Sequence, residues 1–417
     1  MKSKHQLLIP DYMKSFQCIG PDCEDPCCHG FNVDIDKQTY LKYIHTKDKE
    51  LKAKFNTVLK LHKKTKNDLE YAYLEYPQNS KCPMLTDQGW CSIQQKLGEE
   101  ALSLTCHSYP RVTNDILNQI EKGATTSCPE IARLALLNKD GIGFEQSEED
   151  DSVRNAIGFT MSDKSPLTPY FWDLRIFTIE LLQNRTYTLN DRMMILGLFC
   201  QKAAELIQDK QYNALPSLIA QYKHIYIETD QFRNFSAKIN SKPLLQLNIF
   251  RKVYQVTEKI KATSLNYESL RLAAFAGFQL SPEDTENFTI ETDEQQVNHY
   301  LHIIEKWQSV IEGDYEYIFE NYLVNAIFIN VFPHSGYKTL VEEFMMITAK
   351  YTLIRFMTYG VAEQLQEQFD EHDIVSCVQA FSKQLEHNQS FIKYINEQFV
   401  ANECNNLARL AVLIKTI

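Results

Sequence analysis

The chain has no long apolar run. Its best candidate, YLVNAIFINVF, carries Asn325 and Asn330 inside it, and nothing approaches the ~18 uninterrupted apolar residues of a membrane-spanning helix. The first residues, MKSKHQLLIPDYM, offer only Leu7 to Pro10 as an apolar stretch, too short for the core of a secretory leader. The expectation is a cytoplasmic chain without a transmembrane segment. A basic excess is missing too. Lys and Arg number 43 against 54 Asp and Glu, a formal net charge of −11, which argues against free nucleic acid as a partner. Glycine is scarce, 13 in 417 residues, and the single G-x-G runs from Gly141 to Gly143. It follows a helical pattern rather than a strand and reads as a helix stop, so a doubly wound nucleotide-binding sheet is not expected. The C-x2-C pair is also absent, which removes the usual paired zinc knuckle.

What the chain does have is clustered cysteine. Of 11 cysteines, eight lie at or before Cys128: Cys18, Cys23, Cys27, Cys28, Cys82, Cys91, Cys106 and Cys128. Their spacing is C-x4-C-x3-C-C, then C-x8-C-x14-C-x21-C. Cys200, Cys377 and Cys404 stand singly in helical patterns and read as small buried hydrophobes. With 44% hydrophobic residues, the chain can build cores without disulfides, and a cytoplasmic chain seldom forms them. A disulfide between neighbours Cys27 and Cys28 would be strained. Thiolates gathered without a cation would repel one another, and a metal removes that cost because coordination neutralises the thiol. Iron–sulfur clusters accept varied spacing, so spacing favours iron–sulfur over zinc while leaving both open. His29 and His107 flank cysteines and read as neighbours of the site rather than ligands.

The organisation expected is a mainly α protein in three stretches. Residues 1–144 form a cysteine-rich metal-binding domain with short irregular elements. Residues 145–169, with the acidic EQSEEDDS and the turn-rich SDKSPLTP, read as a linker. Residues 170–417 show 3.6-residue spacing with little relief and predict an all-α helical domain. Two helices are predicted earlier. In DKELKAKFNTVLKLHKK, Leu51, Phe55, Val58 and Leu59 share one face, and the other face is nearly all lysine. That face reads as solvated surface, or as a contact for an acidic protein or lipid surface. PEIARLALLN predicts a second helix opened by Pro129.

Certain stretches resemble a known family. CPMLTDQGWCSI followed by TCHSYPR resembles the zinc- or iron-chelating cysteine domain of many bacterial proteins. LIPDYMKSFQCIGPDCEDPCCHGFNVDIDKQTY and, from Tyr315, YEYIFENYLVNAIFINVFP resemble the flagellin lysine-N-methylase family more narrowly. The resemblance implies transfer of methyl groups from S-adenosylmethionine to lysine Nε atoms of flagellin. It implies a 4Fe–4S cluster held by the cysteine-rich motif; by number, the eight early cysteines could hold two such clusters, or one with spare structural thiols. It also implies action in the cytoplasm, peripheral membrane association and homo-oligomer formation. One departure is His107, where the family pattern leads us to expect arginine. A cofactor-binding role there passes to Arg111, with its neighbour Tyr109. The C-x3-C-x2-C triad of radical S-adenosylmethionine chemistry is absent, so the transfer, polar or radical, is left open.

Methylating an amine requires a neutral nitrogen, and YEYIFENYLVN offers groups to handle its proton. Glu316 and Glu320 lie one helical turn apart, as do Asn321 and Asn325. Glu320, Asn321 and Asn325 are the catalytic candidates, with Tyr315, Tyr317 and Tyr322 as an aromatic wall for a lysine stem or cation. The competing reading is a half-buried helix whose polar residues satisfy neighbouring helices. Two rival functions stay open: an electron-transfer protein, and a non-enzymatic binding module stabilised by zinc or an iron–sulfur group.

Overall fold

The computed structural model describes residues 4–31, 33–63, 67–76, 81–150, 153–162, 164–229, 239–280, 294–401 and 406–415. It divides into two compact units that are each discontinuous in sequence. The first comprises Met1–Leu134, Gly143–Met161 and Lys261–Asn266; the second comprises Ala135–Ile142, Ser162–Ile260 and Tyr267–Ile417. Secondary structure is mainly α, as the spacing predicts.

In chain order the first unit carries β1 (Lys4–Pro10), β2 (Asp34–Ile35), α1 (Lys37–Ile44), α2 (Lys49–Val58), β3 (Leu59–Leu61) and β4 (Ala72–Leu74). After these come α3 (Ser92–Leu97), α4 (Leu104–Ser108), β5 (Arg111–Ile116), β6 (Gln119–Ala124), the start of α5 (Pro129–Leu136), β7 (Phe144–Asp150) and β8 (Ile157–Met161). Its larger sheet has the order β7-β1-β6-β5-β8, and a smaller one has the order β2-β4-β3. β5 and β6 form a hairpin closed by Leu117 and Asn118, both at positive φ (56° and 68°), the turn whose twist matches its strands.

Two expectations are corrected here. The stretch 145–169 is not a linker throughout, because β7 and β8 within it join the larger sheet at its two edges. The acidic run of β7 meets lysines supplied by other segments: Glu148 lies 3.2 Å from Lys4, Glu145 lies 2.5 Å from Lys14, and Glu149 pairs with Lys122. The lysine-faced helix also ends sooner than its periodicity suggests. α2 stops at Val58, and Leu59 pairs with Leu74 in the small sheet. Its inward residues Leu51 and Phe55 are buried, and Phe55 stacks on Tyr43 of α1 with ring centroids 4.3 Å apart. Asp36 and Asp48 accept the orphan N–H groups of Thr39 and Leu51 and so cap these two helices.

The second unit is helical from α6 onward: α6 (Phe171–Leu182), α7 (Leu189–Gln208), α8 (Leu215–Tyr222), α9 (Pro243–Thr257), α10 (Tyr267–Gly277) and α11 (Glu294–Ser309). They are followed by α12 (Glu316–Ile329), α13 (Leu340–Leu365), α14 (Glu371–Phe381), α15 (Gln389–Ala401) and α16 (Leu407–Ile414). α13 is buried along most of its length and forms the axis of the core. Phe356 on it stacks on Phe278 at 4.4 Å and lies 4.6 Å from Phe250. α10 crosses α13 where both helices carry glycine. A Cβ on Gly277 would come within 2.0 Å of the Gly360 carbonyl oxygen, so only hydrogen fits there. Cys200 and Cys377 are buried, as expected, and Cys404 lies outside the described residues. No helix among the described residues is long and apolar enough to cross a membrane.

Candidate functional site

The eight early cysteines belong to the first unit, and local backbone structure aims several of them. The N–H of Cys82 donates to the carbonyl of Cys28 at 2.8 Å, which joins the two cysteine-bearing segments. A tight turn, with Thr86 N–H to Trp90 O at 2.8 Å, folds Cys91 back toward Cys82. Cys91 sits at the N-cap of α3, Cys128 directly precedes α5, and Cys106 lies within α4. Backbone N–H groups point at sulfur in three places: from Met84 to Cys82, from Ile93 and Gln94 to Cys91, and from Glu130 and Ile131 to Cys128. Such groups stabilise a thiolate and are the usual surroundings of metal-bound sulfur.

The thiols also act on one another. Cys27 is the hub, acting electrostatically on Cys28, Cys82, Cys91, Cys106 and Cys128. Cys18 acts on Cys91 and Cys23 on Cys128, so all eight are connected. Burial pushes the Cys82 thiol up to about 11 and those of Cys106 and Cys128 up to about 12. A hydrogen bond with Cys27, then burial, pushes Cys28 well above the ordinary thiol range. Cys106 is accessible to water by area. All ten described cysteines are reduced.

Two histidines border these thiols, and the Nδ1 atoms of both His29 and His107 are buried without a hydrogen-bond partner. Unsatisfied buried nitrogen beside gathered thiols is an arrangement that a charged group among them would relieve. Among the described residues, no three of His, Cys, Asp or Glu are grouped tightly enough for a single metal ion. Sulfurs around one tetrahedral zinc stand ~3.8 Å apart, from Zn–S bonds of ~2.3 Å. A polynuclear cluster spreads its thiolates more widely.

Around the thiols, Tyr109 donates or accepts at Ser127 Oγ across 3.1 Å, and its ring packs on Phe31 at 5.5 Å. Arg111 donates to the carbonyl of His107 at 3.2 Å and lies over the Phe16 ring at 5.2 Å. Asp25, between Cys23 and Cys27, is fully buried. It accepts from Ser264 Oγ at 2.7 Å and Leu265 N–H at 2.9 Å, which ties the returning segment Lys261–Asn266 to the cysteine motif. Nothing in the spacing points to this long-range tie beyond an acidic residue among cysteines.

The catalytic candidates of α12 lie in the second unit, where they are buried. Glu320 is buried between two arginines. Its carboxylate accepts from Arg192 Nη1 at 2.6 Å and, bidentately, from Arg185 Nη2 at 2.9 Å and Nε at 3.0 Å. Glu316 takes the other end of Arg192 at 2.5 Å. Both carboxylate oxygens of Glu320 are thus engaged by arginine N–H groups. Asn321 donates to the carbonyls of Leu136 and Asn138 at 3.1 and 2.8 Å, and Asn325 is buried. Of the tyrosines, Tyr317 does meet a cation, the chain's own Lys139 at 5.7 Å, and donates to Glu371 at 2.7 Å. Tyr322 donates to Glu386 at 2.8 Å. A carboxyl that sequence reasoning missed is Glu343, buried in α13 and pushed up to about 7 by desolvation, with Ser335 as its hydrogen-bond partner.

Residues 175–413 match the family described as the FliB lysine N-methylase C-terminal domain. A lysine-N-methylase of Salmonella typhimurium strain LT2 is 23% identical over 393 residues, covering 92% of this chain and 92% of that protein. The flagellar biosynthetic protein FliU of Salmonella muenchen is 30% identical over 142 residues, covering 33% of this chain and 82% of that protein. No solved structure matches.

Proposed function

The chain belongs to the FliB lysine N-methylase family, and from that premise we propose that it is a cytoplasmic methyltransferase moving methyl groups from S-adenosylmethionine to flagellin lysines. The observation that carries this reading is the likeness to a lysine-N-methylase over nearly the whole of both chains. The flagellar substrate rests on the name of the second relative.

The donor set suits an iron–sulfur group. Eight thiols linked electrostatically through Cys27, and backbone N–H groups aimed at sulfur, support it. Cys18, Cys23, Cys27, Cys28, Cys82, Cys91, Cys106 and Cys128 would hold one 4Fe–4S cluster or two. Bound there, a cluster with three protein ligands supplies an iron position open to the amino and carboxylate groups of S-adenosylmethionine.

The remaining chemistry belongs to the chain and the lysine. Deprotonating a lysine at neutral pH costs roughly 4–5 kcal/mol from its ordinary pKa of about 10.4. A receiving site lowers that cost by excluding water from the ammonium or by accepting its proton. The lysine lone pair then takes the methyl group as the carbon–sulfur bond breaks. Phe16, Phe31 and Tyr109 give the thiol-bearing unit an apolar wall for the first task. Arg111 keeps N–H donors beyond the one it uses on His107, and these suit a cofactor carboxylate.

Anaerobic purification followed by iron and sulfide analysis, with transfer of labelled methyl from S-adenosylmethionine to flagellin, tests the reading. The expected protein is brown, carries iron and sulfide, and yields methyl-lysine by mass spectrometry. A colourless zinc protein without transfer would overturn it in favour of a binding module.

A further inference from the structure

The lysine-rich face of α1 and α2 has no part in the chemistry above. From Lys37 to Lys66 the chain carries ten lysines against two acidic residues, Asp48 and Glu50, inside a protein of net charge −11. Such local reversal of sign is an electrostatic footprint for a partner of opposite charge. The structure shows which of these charges are available. Lys37, Lys54 and Lys60 lie 3.3, 3.5 and 3.8 Å from Asp68, Glu50 and Glu75. Lys42, Lys47, Lys49, Lys52 and Lys63 are exposed and, among the described residues, have no carboxylate within ion-pair distance.

The occupant follows from the other side of the same helices. A helix that lies in a lipid interface sinks an apolar stripe bearing Trp, Phe or Leu into the headgroups. Here that stripe is already in use: Tyr43, Leu51 and Phe55 are 1%, 0% and 2% exposed in the unit's own core. What remains outward is mostly cationic; Leu41 and Leu61 are exposed beside the lysines, at 44% and 50%, but two separate leucines make no interfacial stripe, and the face complements a hydrated acidic protein surface.

We propose that the exposed lysine face of α1 and α2 is a docking surface for an acidic protein. On the function proposed above, that protein is the methyl acceptor. The face engages carboxylates away from the target lysine, since five lysines would repel the ammonium itself. It therefore sets the affinity for the whole protein substrate and leaves the transfer step alone.

The test is the full-length variant K42E/K47E/K49E/K52E, with its fold checked by circular dichroism. Three probes serve: flagellin, a short lysine peptide lacking acidic residues, and vesicles of phosphatidylcholine with phosphatidylserine. Direct binding to flagellin should weaken at least ~10-fold at low salt. The same weakening should appear in the parent protein near 1 M salt, where the Debye length is about 3 Å. KM for flagellin should rise by a similar factor, while kcat and turnover of the short peptide stay unchanged. Unaltered flagellin binding by the variant overturns the proposal. So does parent protein that binds the anionic vesicles through these lysines and ignores flagellin. If the parent protein methylates nothing, the proposed activity fails, and the binding measurement still decides the docking surface.

Discussion

In the helical unit, interior charges come in matched sets. Arg192 meets Glu316 and Glu320. Arg355 lies 3.3 Å from Glu312, donates to Asn190 at 2.7 Å and holds the carbonyls of Leu413 and Ile414 at 2.9 Å. The cysteine-bearing unit gathers its polar groups differently. The main influences on its thiols are burial, backbone N–H groups and one another. One unit carries its counter-charges within its own side chains; the other presents donors that an added cation would complete. The comparison teaches which unit can be perturbed through its composition of bound groups and which only through its sequence.

The largest expected effect tests that asymmetry. Replacing Cys27 and Cys82 together by serine should abolish iron loading and methyl transfer. Amide hydrogen exchange should quicken around α3, α4 and the N-terminus of α5 while α13 keeps its protection. Equal loss of protection in α13 would break the comparison. Next in size is Arg192→Met, which takes the arginine from Glu316 and leaves Glu320 with Arg185 alone. Removing one partner of a buried ion pair costs roughly 3–5 kcal/mol, read by chemical denaturation. Iron content should not change.

Glu343 is an exception within the helical unit, because this buried carboxyl has hydroxyl and amide partners and its pKa is raised to about 7. The folded chain binds that proton more tightly than the unfolded one. Below the ordinary glutamate value of about 4.3 both states are protonated and nothing is lost. Stability should then fall as pH rises toward 7, and above it the loss should level off at about 3 kcal/mol. Glu343→Gln should flatten this slope in denaturation curves taken from pH 5 to pH 8. The smallest effect is steric. Gly277→Ala places a methyl against the Gly360 carbonyl and should cost roughly 1–3 kcal/mol of stability without altering iron binding.

The helical unit was legible because its signal is local. FWDLRIFTIELLQN and DRMMILGLFCQKAAELIQD repeat at helical spacing whatever surrounds them, and α6 and α7 form there. β7 was illegible because FEQSEED is a strand only beside lysines drawn from residues 4, 14 and 122. The cysteine motif announced itself by composition, and its approach to one hub does not depend on knowing the sheets. The partners of Glu320 were hidden for a related reason. A carboxylate one turn from another looks reactive in sequence, and the two arginines that engage it come from 128 and 135 residues away.

The segment Lys261–Asn266 has a consequence in time. Ser264 and Leu265 fasten Asp25, and Thr263 lies so close to Gly30 that a Cβ there would come within 2.5 Å of its Cα. A ribosome makes the whole cysteine motif long before it reaches residue 261. Until then the stretch from Cys18 to Cys28 has no partner for Asp25 from this segment and no backbone packed on Gly30. The nascent chain thus passes through an interval in which its thiols are made and their enclosure is unfinished. Synthesis of six residues more than a hundred positions downstream brings that interval to a close.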